Sequence, residues 1–121
     1  MALTEFGKAV RKARIDTGQT LLGMATALGT SPSFLSAMET GRKKIAANWV
    51  TKIENFFEEK ERPVSGLQEL AALANESVPL EGLPLQQQML VAGFARSKFT
   101  AEELKQIADL LGEINNKKGR K

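Results

Sequence analysis

Two short clusters of basic side chains are the residues of this sequence best suited to bind a ligand through charge. They are Lys8, Arg11, Lys12 and Arg14 in the first cluster and Arg42, Lys43 and Lys44 in the second. Residues 1–62 hold ten Lys or Arg against seven Asp or Glu, whereas residues 63–121 hold seven of each. Clustered positive charge of this kind attracts phosphate, although a solvated helix face explains such short clusters equally well.

Several chemistries are excluded because the residues they need are missing. The chain has no His and no Cys, so zinc fingers, thiol nucleophiles, imidazole bases and disulfides are ruled out. The carboxylate pairs Glu58/Glu59 and Glu102/Glu103 are neighbours on predicted helices and point in different directions, so no acid/base pair is evident. We therefore predict a protein that is not an enzyme and needs no cofactor or metal.

Length and hydropathy limit the architecture and the location. The 121 residues, 42% of them apolar, suffice for one modest domain or for a small domain with an extension. No run of 18 apolar residues exists, and the first residues lack the apolar centre of a signal peptide. We expect a cytoplasmic protein that does not contact membranes.

Helical periodicity predicts an all-α first half. Helices are expected over residues 4–17, 20–28 and 31–39, and a fourth from about residue 48. In the second of these, Thr20 is the predicted N-cap and Gly29 the left-handed C-cap, while Ser31 and Pro32 begin the third. The aromatic stripe of the fourth helix, which includes Trp49, is interpreted as core packing rather than as a base-stacking surface.

Pro63 follows a charged run and marks the predicted end of the first domain. The expected division is 1–62, a helical extension over 63–115, and a flexible basic tail over 116–121. Capping boxes at Ser65/Gln68 and Thr100/Glu103 predict two helix starts in the extension. The last helix places apolar residues three, four and three positions apart, at Leu104, Ile107, Leu111 and Ile114. This spacing requires a partner, either the sixth helix or a second copy of the chain.

The stretch RIDTGQTLLGMATALGTSPSFLSAMETGRKK at 14–44 resembles the Cro/CI-type, lambda-repressor-like helix-turn-helix family. The resemblance covers about residues 4–58. Its elements are specific when taken together and in order. They are Arg14 ahead of Gly18, the pair Met24 and Ala25, Gly29 at the turn, SPSFLS opening the third helix, and ETGR closing it.

The resemblance implies a five-helix DNA-binding domain whose third helix lies in the major groove. It pairs Arg14 with Glu39 as a structural brace. The implied base contacts are Pro32, Ser33, Ser36 and Ala37. The implied backbone or flanking contacts are Thr20, Ser31, Phe34, Arg42, Lys43 and Lys44. For Phe34, packing beneath the helix is an equal alternative. A phosphate-binding Gln of the family is replaced here by Leu21, which together with Leu22 can instead pack against the C-terminal helices.

These expectations describe a homodimeric repressor that reads a two-fold operator in double-stranded DNA, with Leu104, Ile107, Leu111 and Ile114 at the dimer interface. Two alternatives stay open. One is an antitoxin-like autoregulator whose C-terminal helices bind a partner protein. The other is a protein-interaction module that no longer contacts DNA, since Ser and Ala discriminate between bases less sharply than Arg or Gln.

Overall fold

The computed structural model describes residues 2–119, and every regular element in that range is an α-helix. The prediction of an all-α chain is confirmed for these residues. The helices are α1 (Glu5–Asp16), α2 (Leu21–Leu28), α3 (Pro32–Glu39), α4 (Ala47–Glu59), α5 (Leu67–Asn75), α6 (Leu85–Arg96) and α7 (Ala101–Gly119). None of the helices in this part of the chain is long and apolar enough to cross a membrane.

Hydroxyl side chains begin the first three helices. Those of Thr4, Thr20 and Ser31 each accept the backbone N–H three residues further on, at 3.0, 2.9 and 3.1 Å. Gly29 ends α2 with a φ of 74°, in the left-handed region that glycine enters without strain. The cap also accounts for Gly23, since a Cβ there would lie 3.0 Å from the Thr20 hydroxyl oxygen. The predicted caps of α2 and α3 are therefore confirmed.

One core joins the apolar faces of α1 to α5. Its buried members are Phe6, Val10, Ala13, Met24, Ala25, Leu35, Met38, Ile45, Val50, Ile53, Phe56, Phe57, Leu67 and Ala71. Trp49 is half-buried against this core. The interpretation of the aromatic stripe on α4 as packing is thus confirmed.

The fifth helix belongs to the same compact unit as the first four. This unit extends through Pro79, so the domain boundary predicted after residue 62 falls inside it. Leu67 and Ala71 are buried in the core, and α5 packs against α1 and α4. Pro63 lies in the connection between α4 and α5 and does not end the domain, because side chains of both helices are buried in the same core.

The second compact unit begins at Leu80 and contains α6 and α7. Phe94 and Phe99 stack with ring centroids 5.0 Å apart and so join the end of α6 to the segment before α7. No side chain of α6 is buried. The large apolar residues left exposed on the two helices are Leu85, Met89, Leu90, Phe94, Leu104, Leu110, Leu111 and Ile114.

Of the two predicted capping boxes, only the one before α7 forms. Thr100 N–H donates to Glu103 Oε1 at 2.9 Å, and Glu103 N–H donates to the Thr100 hydroxyl at 3.1 Å. The N-cap of α5 is Gly66, which makes no side-chain hydrogen bond. The Ser65 hydroxyl lies one residue too early to cap that helix, so the predicted Ser65/Gln68 box is wrong.

The last helix extends further than its sequence predicts. A flexible tail is expected over 116–121, but α7 continues to Gly119 and includes Lys117 and Lys118 in its final turn. Basic residues near a helix C-terminus interact favourably with the helix dipole, which accounts for the added turn. Residues 120 and 121 of the predicted tail lie outside the described residues.

The backbone of α3 is held against α1 at Glu39. The Glu39 carbonyl accepts the Thr4 N–H at 3.1 Å and the Thr4 hydroxyl at 3.2 Å. Gly7 lies directly against the same carbonyl, where an added Cβ would overlap it. The lack of a side chain at Gly7 therefore permits this close approach of the two helices.

We expect Gly7→Ala to lower the free energy of unfolding by about 1–3 kcal/mol, because α1 would have to move away from the Glu39 carbonyl. Gly112→Ala is the matched control, since a Cβ on that part of α7 meets nothing within 4 Å and alanine favours helix by about 1 kcal/mol. Thermal unfolding followed by circular dichroism measures both. A Gly7→Ala protein as stable as the parent would contradict the contact.

Candidate nucleic-acid interface

The second and third helices are joined by a short turn that runs from Gly29 to Ser31. Ala25 is fully buried, and its carbonyl accepts the Thr30 N–H of the turn at 2.9 Å. Leu35 and Met38 bury the inner face of α3, as the sequence predicts. Small and apolar residues at these positions fix the rotation of α3 and thereby decide which of its side chains reach solvent.

The outward arc of α3 is made of small side chains. Ser33 is exposed, whereas Pro32, Ser36 and Ala37 are half-buried. Ser36 also lines a cleft of about 450 Å³ between α1, the start of α2 and α3. The structure therefore brings the four predicted base contacts onto one helix, with Ser33 the most accessible of them. None of the four can form a two-pronged hydrogen bond with a base edge.

Phe34 is partly buried and packs against the core of the first unit. Its ring centroid lies 5.2 Å from that of Trp49, with the planes tilted by 57°. Lys52 Nζ lies 4.5 Å from the Trp49 ring centroid, within cation–π range. Of the two interpretations of Phe34, the structure favours packing between α3 and α4 over a flanking contact.

The basic loop after α3, residues 41–44, is exposed throughout. The backbone N–H groups of Arg42 and Lys43 both donate to the Ala37 carbonyl, at 3.0 and 3.2 Å. Arg42 Nε donates to the Thr40 hydroxyl at 3.2 Å, and that hydroxyl donates to the Ser36 carbonyl at 3.0 Å. Thr40, which the sequence analysis named only as part of the closing ETGR motif, thus positions Arg42. The chain reverses so tightly that three cations stand beside the C-terminal half of α3.

The far end of this loop is fixed by α5. Ile45 is buried, its N–H donates to Asn75 Oδ1 at 2.8 Å, and its carbonyl accepts Asn75 Nδ2 at 2.9 Å. The amide of Asn75 therefore bonds the backbone of Ile45 in both directions, as a strand neighbour would. Nothing in the local sequence around Asn75 marks it for this role, because its partner lies 30 residues away.

Arg14 and Glu39 form a buried ion pair, as the resemblance implies. Arg14 Nη1 bonds Glu39 Oε2, and Nη2 bonds Oε1 at 3.3 Å. The two side chains are only 9% and 5% exposed. The pair therefore acts as a structural brace between α1 and the end of α3, and Glu39 is not available at the surface.

The first basic cluster divides into two parts. Arg14 is buried, whereas Lys8, Arg11 and Lys12 are exposed on α1. Lys8 pairs with Glu5 at 3.2 Å. Arg11 lines the same cleft as Ser36 and Thr40. Arg11 is therefore the member of the cluster that extends the positive charge of the basic loop across the face of α3.

The starts of α2 and α3 lie at the surface, since the caps Thr20 and Ser31 are both exposed. Their hydroxyl oxygens already accept backbone N–H groups, which leaves the hydroxyl protons free to donate to a phosphate oxygen. Leu21 packs partly against the core of the first unit, whereas Leu22 is 64% exposed. Leu21 is thus a packing residue of the first unit.

Within the described residues no cluster of three or more acidic side chains could hold a metal ion. Comparison of the chain with known protein families, with curated proteins and with solved structures found no match. The evidence on function therefore lies in the geometry of this surface.

We expect Glu39→Ala to lower the free energy of unfolding by about 3–5 kcal/mol, since it leaves the Arg14 guanidinium buried without its partner. Asp16→Ala is the control. It breaks the partly exposed Asp16–Arg62 pair, and such pairs contribute about 1 kcal/mol or less. Urea denaturation measures both, and equal losses would show that the buried pair has no special structural role.

Asn75→Ala is expected to free the end of the basic loop, because both polar groups of the Ile45 backbone lose their partner at a cost of about 1–3 kcal/mol. Hydrogen–deuterium exchange of the Ile45 amide should accelerate. Asn55→Ala, on an exposed part of α4, is the control and should leave that amide unchanged. Unaltered exchange in Asn75→Ala would mean that the loop is fixed by other contacts.

Proposed function

We propose that this protein is a sequence-specific regulator that binds double-stranded DNA as a dimeric repressor, with α3 in the major groove. The observation that carries the proposal is the position of the exposed cations Arg42, Lys43 and Lys44 directly after α3. The Ala37 carbonyl holds the backbone of the first two beside α3. An α-helix with its side chains is about 10–12 Å across, which fits a major groove about 12 Å wide.

The resemblance of residues 14–44 to the Cro/CI-type helix-turn-helix supports the same assignment. Under the proposal α1 to α5 form a lambda-repressor-like domain, with α2 and α3 as the helix-turn-helix. The Arg14–Glu39 pair and the Glu39 carbonyl both fix α3 on α1. These contacts with α1 give α3 a single orientation, which sequence recognition requires.

The proposed contacts divide between backbone and bases. Thr20, Ser31 and the loop cations contact phosphates, which positions the protein but carries no sequence information. Ser33, with Ser36 and Ala37 behind it, touches base edges. Because hydroxyls accept almost any base, much of the specificity is assigned to the spacing of two half-sites and to the deformability of the DNA.

The small number of proposed base contacts per chain is a reason to propose a dimer. One copy of α3 offers few base contacts, whereas two copies about 34 Å apart double the contacts and require a two-fold operator. The second unit is the proposed source of the dimer, since it leaves Leu104, Leu111 and Ile114 exposed on one helix.

We expect binding to the protein's own promoter region to weaken by more than about 10-fold when Lys43 and Lys44 are both changed to Glu. If each chain contacts about three phosphates, log affinity should fall with log salt with a slope of about −5, and the variant should lose about two contacts per chain. Fluorescence anisotropy over a salt series measures both quantities.

The control for that experiment is Lys98→Glu/Lys105→Glu, which changes net charge by the same amount on exposed residues of the second unit. It should retain binding and slope. If the loop variant binds DNA as the parent does, or if the parent binds no DNA selectively at any salt concentration, the proposal fails and the protein-interaction module takes its place.

One observation favours a second candidate, an antitoxin-like autoregulator. Both α6 and α7 leave large apolar side chains exposed, which is more surface than one helical interface needs. A toxin-sized open reading frame beside the gene, whose product co-purifies with the chain at fixed stoichiometry, would support this candidate. Under it the DNA-binding predictions above remain the same.

A further inference from the structure

The apolar face of α7 lies on a helix that its own unit leaves uncovered. Leu104, Leu111 and Ile114 are 45%, 57% and 43% exposed, and Ile107 is half-buried. Leu110 on the flank is also 57% exposed. A 19-residue helix with such a face is marginally stable alone in water and gains most of its stability when the face is buried.

The two ends of α7 carry opposite charges, negative in the first turn and positive in the last. Glu102 and Glu103 lie in the first turn, and Lys117 and Lys118 in the last. In the heptad that places Leu104 and Leu111 at position a, the residues at position g are Glu103, Leu110 and Lys117. One flank of the apolar face is therefore negative at its start, apolar at its centre and positive at its end.

We propose that α7 pairs with α7 of a second copy of this chain in antiparallel orientation, about a two-fold axis beside Leu110. In antiparallel pairs, position a packs against position d of the partner and the two g positions face each other. Leu104 then packs against Ile114 of the partner subunit, and Glu103 faces Lys117 of the partner subunit. The apolar Leu110 meets its own equivalent at the axis.

The charges favour this orientation over a parallel one. In a parallel pair each g residue faces position e of the partner, so Glu103 would face Ala108 of the partner subunit and Leu110 would face Asn115 of the partner subunit. Neither contact is complementary, and the like-charged ends would lie together. The antiparallel pair forms two ion pairs and opposes the helix dipoles.

The existing cap is compatible with the proposed ion pair. Glu103 uses Oε1 to accept the Thr100 N–H, which leaves Oε2 for a lysine. Lys117 is exposed and has no ion-pair partner within the described residues. Ala108 occupies the e position at the axis and is small enough for the two helices to approach closely.

This inference rests on the dimer of the proposed function and does not depend on DNA binding. It is tested first with the full chain by sedimentation equilibrium. Lys117→Glu and Glu103→Lys should each raise the dimer dissociation constant by about 10-fold, since two ion pairs become two repulsions. The double swap Glu103→Lys/Lys117→Glu should restore most of the affinity, although the cap at Thr100 stays lost.

Glu113→Lys is the matched control, since it makes the same charge change on the outward face of α7 at position c. It should leave the dissociation constant within about 2-fold of the parent, as expected for an exposed charge away from the interface. A monomer at all concentrations, or a double swap no better than the single variants, would overturn the proposed pairing.

Cysteine cross-linking then reports the orientation, because the parent chain contains no cysteine. Ala108→Cys lies at the axis and should cross-link to itself with a short thiol-specific reagent. Ala101→Cys and Asn115→Cys should each fail to self-link but should link when the two variants are mixed. In a parallel dimer Ala108→Cys would not self-link and the mixture would give no product.

The two proposals fail separately. A dimer that lacks the Ala108→Cys cross-link yet binds its promoter with the predicted salt slope overturns only the α7 pairing. A dimer in the proposed register that ignores DNA overturns only the proposed function.

Discussion

The first unit depends on how the C-terminal end of α3 is held by α1. Arg14 clasps the Glu39 carboxylate, Thr4 donates twice to the Glu39 carbonyl, and Gly7 leaves room for that carbonyl to approach. Side chain and backbone of one residue are thus fixed by the same helix. Because a buried ion pair gains little net stability over an apolar pair, its value here is geometric. It sets where α3 ends and hence where the basic loop begins.

After the C-terminal end of α3, hydrogen bonds hold the basic loop in place. Thr40 connects the last turn of α3 to Arg42, the Ala37 carbonyl turns the chain back, and Asn75 fastens Ile45. The loop cations are therefore positioned by contacts with two helices, α3 and α5. By contrast, the outward arc of α3 around Ser33 consists of small side chains. The structure fixes the positions of the loop cations more firmly than it provides side chains for specific base contacts. This agrees with the proposal that half-site spacing and DNA shape carry much of the specificity.

In the second unit the helices are defined by local interactions rather than by a buried core. Thr100 and Glu103 cap the start of α7 by satisfying each other's backbone groups, and Phe94 at the end of α6 stacks on Phe99. Yet α6 buries no side chain, so local interactions define these helices while the apolar surface that would stabilise them stays in solvent. We propose a second copy of α7 as the partner that covers this surface, because the charges of Glu103 and Lys117 are opposite.

Features that depend on neighbours in the sequence were predictable. The caps Thr20 and Ser31 and the turn at Gly29 act over three or four residues, so residue type and spacing determine them. The Ser65/Gln68 box failed because Gly66 displaced the helix start by one residue. Tertiary structure alone decided that Asn75 holds Ile45 and that Gly7 meets Glu39, because these contacts join residues about 30 positions apart. A lone Asn or Gly in a helix has many possible roles, and only the packing of α1, α3 and α5 selects one of them.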